Sequence, residues 1–213
     1  MLIADRTGNS SNSMDKARRL AKLAFGGLLA FVALMLLAGC SPSAAPGSSA
    51  HAQKIPTRHV YLTLSIVPNK PGGPPDWPAY LPSTDLTVPA HSIITVTIRN
   101  YDLGYAPLVA SSPFAKVQGT LGGVAYANGH AYTSLNPGHV AHTFTVFGLN
   151  LNVPIPGDAA PGKKYAIVTF SFNSGGAGTY IWRCNAPCGT GSSGWYGPMV
   201  TKGYMLGTLT VQG

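Results

Sequence analysis

From residue 58 onward the chain reads as short runs in which apolar and polar positions alternate. HVYLTLSIV (59–67), LTVPA (86–90), SIITVTIRN (92–100), VAHTFTVFG (140–148), YAIVTFSF (165–172), TYIWRC (179–184) and MLGTLTV (205–211) are rich in Val, Ile, Thr and aromatics. A period of two with β-branched side chains predicts strands with one face buried. Clusters of Gly, Pro and Asn separate the runs, and NVPIPGDAAPGKK (152–164) is predicted as a turn between two of them. No long stretch carries the helical period. Many short strands with turn residues between them predict an all-β sandwich. About 155 residues suffice for one such core and are too few for two. The part from Tyr101 to Pro137 is the least regular, rich in Gly, Ser, Tyr and Pro, and is predicted as an insertion with one or two short strands or turns.

The pattern is different before residue 58. Residues 41–56, SPSAAPGSSAHAQKIP, have no periodicity and the composition of a flexible tether. Ahead of them a basic head (Lys16, Arg18, Arg19, Lys22) leads into an apolar stretch from Ala24 to Ala38, which ends in small residues. That order is the secretory pattern. Leu37-Ala38-Gly39-Cys40 resembles a bacterial lipobox, which implies a signal peptide over 1–39 and a lipidated Cys40 as the new N-terminus. Residues 1–13 lack these features, so Met14 fits as the start. An uncleaved spanning anchor is the other reading, although the apolar run is shorter than the roughly 20 residues a spanning helix needs. Either way residues 40–57 tether a domain of residues 58–213 to the outside of the cell membrane. Several acyl chains on one cysteine would give stable anchoring.

Charge adds little to this picture. The formal net charge is +8, but residues 40–213 carry nine Lys/Arg against four acidic residues, Asp76, Asp85, Asp102 and Asp158, with no glutamate. The basic residues are scattered, so no nucleic-acid surface is predicted. Paired carboxylates, a Gly-x-Ser-x-Gly elbow and a His-Glu-x-x-His motif are all absent, which argues against an enzyme. The cysteines matter more. With Cys40 committed to lipid, Cys184 and Cys188 remain as a pair in an oxidising compartment, either bonded to each other or protected by a metal.

The order of segments then becomes informative. AHTFTV, a Pro/Gly turn, YAIVTFSF, GTYIWRC and a methionine before the last strand together resemble the cupredoxin family, including the copper domain of cytochrome oxidase subunit II. The resemblance implies a Greek-key β-sandwich with copper held by His142, Cys184 and Met205. Cys184-x-x-x-Cys188 is similar to the binuclear copper motif of that domain, which implies Cys188 as a further ligand. Soft thiolate and thioether donors with imidazole suit copper cycling between one and two positive charges. The chain departs from the family in having no histidine between residues 185 and 204. Cys188, His139 or His130 are the available substitutes, and Met199 offers a second thioether. His51, His59 and His91 are expected at solvated positions. Trp195 and Tyr196, between glycines, could form an apolar docking patch. The resemblance implies single-electron transfer or copper carriage, with a redox partner such as a cytochrome or terminal oxidase. The alternative is a metal-free binding module closed by a Cys184–Cys188 disulfide, which contacts another envelope component through its loops.

Overall fold

A computed structural model describes residues 58–189 and 196–213. Cys40, His51, Trp195, the leader and the tether lie outside the described residues. The alternating runs form eleven strands: β1 (His59–Val67), β2 (Ala79–Leu81), β3 (Asp85–Pro89), β4 (Ile93–Asn100), β5 (Ala125–Ala127), β6 (His130–Tyr132), β7 (Val140–Val146), β8 (Leu151–Pro156), β9 (Ala166–Asn173), β10 (Gly178–Arg183) and β11 (Leu206–Gln212). They build two sheets, β2-β1-β4-β9-β5-β6 and β3-β11-β10-β7-β8. Pairing is antiparallel except for β1 with β4 and β3 with β11, which run parallel. This is the all-β sandwich that the alternation predicts, with a one-turn helix at Gly197–Val200 among the described residues.

The core follows from the same alternation. Ile94, Val96 and Ile98 of β4 face Val168, Phe170 and Phe172 of β9 on the inner side of one sheet, and all are buried. Leu209 and Val211 of β11 and Phe144 and Val146 of β7 fill it from the other. Full burial of such a side chain stabilises by about 1.5–3 kcal/mol. At one end of the sandwich the filling becomes aromatic. The Trp182 ring lies 4.8 Å from both Tyr80 and Phe144, and Phe144 lies 5.6 Å from Phe170. The polar tips are satisfied: the Trp182 indole donates to the Thr84 carbonyl and the Tyr80 hydroxyl to that of Thr143.

One expectation fails. Residues 151–156 are the edge strand β8 rather than part of a turn, and all six are buried. Pro154 and Pro156 lack a ladder donor, which an edge strand tolerates because one of its sides has no sheet partner. The insertion and the end of β4 supply what that side needs. The Tyr132 hydroxyl donates to the Pro154 carbonyl, the Asn100 amide to that of Pro156, and Gln118 exchanges two backbone bonds with Asn152. The Asn152 side chain in turn donates to the carbonyls of Phe114 and Lys116. The insertion contains the short strands β5 and β6, and β5 extends the first sheet beside β9.

Candidate metal centre

Two strands that are neighbours in the second sheet position two of the four sequence-predicted ligands. β7 holds His142, and Cys184 follows the end of β10, which pairs with β7 at Trp182–Val146 and Arg183–Thr145. The register of β7 against β8 shifts between Val140 and His142. Such a bulge takes Val140 out of the alternation, so His142 keeps step with Phe144 alone. The result is an imidazole at the end of the aromatic cluster, two residues from Phe144. Cys184 is likewise two residues from Trp182.

His142, Cys184 and Cys188 place one ligand atom each within 4.8 Å of one another, and all three are buried. Both cysteines are free thiols with sulfurs 3.4 Å apart, well beyond the roughly 2.05 Å of a bonded pair. The neighbouring backbone holds the Cys184 sulfur in place. The Thr143 amide donates to it at 3.3 Å, and the Asn185 amide donates to the Thr143 hydroxyl at 2.8 Å. The Cys184 amide donates at 2.9 Å to the carbonyl of Met205, which is fully buried at the start of the last strand. Met199 is buried in the same core. His130 and His139 are exposed and stand outside the cluster, and His139 stacks on Tyr105 instead. His59 and His91 are exposed, as expected.

The structure adds a residue that sequence reasoning passed over. Asp102 Oδ2 lies 3.1 Å from His142 Nε2, and the Asp102 amide donates to the Asn100 side chain. The contact is an ion-pair approach, and neither ring nitrogen makes a hydrogen bond of ordinary geometry. Two neighbouring groups change the acidity of this ring. Burial opposes its charged form, but Asp102 and Cys184 outweigh that and raise it to about 9. Burial also opposes a charged Cys184, yet the Cys188 thiol, His142 and the Thr143 amide hold it well below the usual thiol range. Cys188 goes the other way, raised by its contact with Cys184 and by burial. Without metal, these shifts favour the proton on His142 over Cys184, with the Cys188 thiol donating to the Cys184 sulfur.

A buried imidazole without a regular hydrogen bond, beside two unbonded sulfurs, is a donor set matched to a soft metal ion. Asp102 occupies the position from which a carboxylate fixes a ligating ring. Beside these residues a cavity of about 100 Å³ is lined by Asp102, Tyr105, Ala106, His142 and Cys188, among others. Its outer wall is the 102–106 segment. That segment is held by Gly104 and Ala106 amides donating to Gly157 and Val140 carbonyls, and by the Tyr105 hydroxyl donating to Asp158.

No family model and no curated protein matches the chain. Among solved structures it is similar to rusticyanin from Thiobacillus ferrooxidans, at 16% identity over 73% of this chain and 78% of that one, TM-score 0.37. It is also similar to a blue copper oxidase from Nitrosomonas europaea, at 16% identity over 73% of this chain and 39% of that one, TM-score 0.37. Auracyanin B matches at 16% identity over 72% of this chain and 89% of that one, TM-score 0.31. No residue role transfers at such identities, and the roles given to His142, Cys184, Cys188 and Asp102 come from this chain's own distances.

Proposed function

We propose that the chain is a cupredoxin-like copper protein, tethered outside the cell membrane through lipid on Cys40, that passes single electrons to a partner such as a cytochrome or terminal oxidase. The observation that carries the copper reading is the meeting of His142, Cys184 and Cys188 within 4.8 Å, both thiols free and the ring without a regular hydrogen bond. Bound copper would supply a one-electron couple, with Met205, whose carbonyl accepts from the Cys184 amide, as the thioether that the sequence resemblance implies. The remaining work belongs to the chain. Nε2 toward Asp102 leaves the other ring nitrogen as the donor, the Thr143 amide stabilises the Cys184 thiolate, and the sandwich end holds the three donors fixed. A fixed donor set limits rearrangement when an electron arrives, as single-electron transfer requires. Copper carriage is the second reading, favoured by the cavity that reaches His142 and Cys188.

Copper titration of the purified protein tests the proposal. Stoichiometric uptake with a thiolate-to-copper visible band, lost in Cys184→Ser, is expected. Colourless protein with no reactive thiols and no copper uptake would leave the disulfide-closed binding module instead. Labelled fatty acid incorporated in the wild type and lost in Cys40→Ala tests the anchor.

A further inference from the structure

The described donors are the His142 imidazole and the Cys184 and Cys188 sulfurs, and the cavity meets two of the three residues that supply them. His142 is 2% exposed, lacks a regular hydrogen bond and forms part of the cavity wall, as does Cys188. The opposite wall is the clamped 102–106 segment, with Ala106 facing the same space. The ring and the Asp102 carboxylate it approaches at 3.1 Å both border this cavity, so a small polar guest meets polar groups there. At about 100 Å³ the space is smaller than the roughly 150 Å³ apolar cavity that accepts benzene, so it suits a guest of only a few heavy atoms.

We propose that this cavity is a port through which a small monodentate nitrogen or sulfur donor from solution reaches the centre and occupies an exchangeable coordination position. The port rests on the copper reading for its function but not for its existence, because the cavity and Cys188 are present without metal. Binding there breaks no bond from the three protein donors. Tyr105 and Ala106 set the size limit, and Asp102 keeps the ring from turning into the space.

Two measurements test it, one with copper and one without. Imidazole added to the Cu(II)-loaded protein should shift the thiolate-to-copper band and the electron paramagnetic resonance spectrum saturably, whereas 2-phenylimidazole should not. The plugging variant Ala106→Leu should keep copper uptake and weaken the imidazole response at least tenfold. In the metal-free folded chain, iodoacetamide should alkylate Cys188 at least tenfold faster than a bulky N-substituted iodoacetamide does, with iodide leaving and the thiol proton passing to solvent in both. Copper uptake with no imidazole response, or an equal response to both imidazoles, overturns the port. Equal alkylation by small and bulky reagents overturns it too, even in a chain that takes no copper. Failure of copper uptake with size-selective alkylation intact overturns the copper reading alone. The size comparison on the wild type holds whether or not Ala106→Leu folds.

Discussion

Folding of the metal-free chain should move one proton from a thiol to an imidazole, and that makes its stability unusually insensitive to neutral pH. In the unfolded chain His142 titrates near 6.5 and Cys184 near about 8.5, so between those values the pair is neutral imidazole plus thiol. In the folded chain His142 is raised to about 9 and Cys184 is lowered, so the same window holds imidazolium plus thiolate. Each group alone would give a slope. The raised His142 contributes stability fully present below about 6.5 and lost as pH rises through about 9, about 3 kcal/mol in all. The lowered Cys184 contributes stability present above about 8.5 and lost as pH falls, which is the opposite slope over the same window. Folded and unfolded chains then bind equal numbers of protons, and the slopes cancel. Urea unfolding of the metal-free protein should give a free energy level between about pH 6.5 and 8.5, falling by roughly 1.4 kcal/mol per unit below that range as the unfolded histidine takes up its proton. The ultraviolet thiolate band should report one thiolate per folded chain near neutral pH, lost in Cys184→Ser and kept in Cys188→Ser. Cys184→Ser removes the thiolate and also one of the two groups that raise His142, so His142 should fall back toward its ordinary value in that variant. A wild-type slope near 1.4 kcal/mol per unit inside the window, or a folded chain without thiolate absorption at neutral pH, would refute the reasoning.

Three further outcomes follow from the same contacts. Asp102→Ala releases the His142 ring and should weaken copper binding by about 10–100-fold with the fold intact by circular dichroism, while Asp102→Asn restores part of it. Phe144→Ala removes the ring that packs against Trp182, Tyr80 and Phe170, and should cost about 3–5 kcal/mol in denaturant unfolding. Gly157→Ala places a methyl against the Gly104 carbonyl. It should displace the 102–106 segment at a cost of about 1–3 kcal/mol, and should alter access to Cys188 in the alkylation assay.

The strands were legible because their signal is local. SIITVTIRN and YAIVTFSF alternate strictly and pair along their length as β4 and β9. LNVPIP was not legible, since its prolines signal a turn, and only the insertion packed along its edge makes a strand tolerable there. At the centre, His142, Cys184, Cys188 and Met205 stood out through the resemblance of their motifs, and the fold brings ligand atoms of the two cysteines and His142 together. Asp102 did not, because nothing local separates it from an ordinary turn carboxylate; it approaches His142 only once β4 and β7 lie in their facing sheets. The bulge at Ala141 was equally hidden, since register belongs to the pairing of β7 with β8 and not to either strand alone.

The Thr143 amide that reaches the Cys184 sulfur has a consequence for chronology. Because main-chain hydrogen bonds of the sandwich hold the three side chains together, the geometry of the proposed copper site does not depend on an ion to form it. Unlike a zinc finger, which is shapeless until loaded, such a chain can complete its architecture in an ion-free state and wait. Under the copper proposal, delivery is then an event separate from folding.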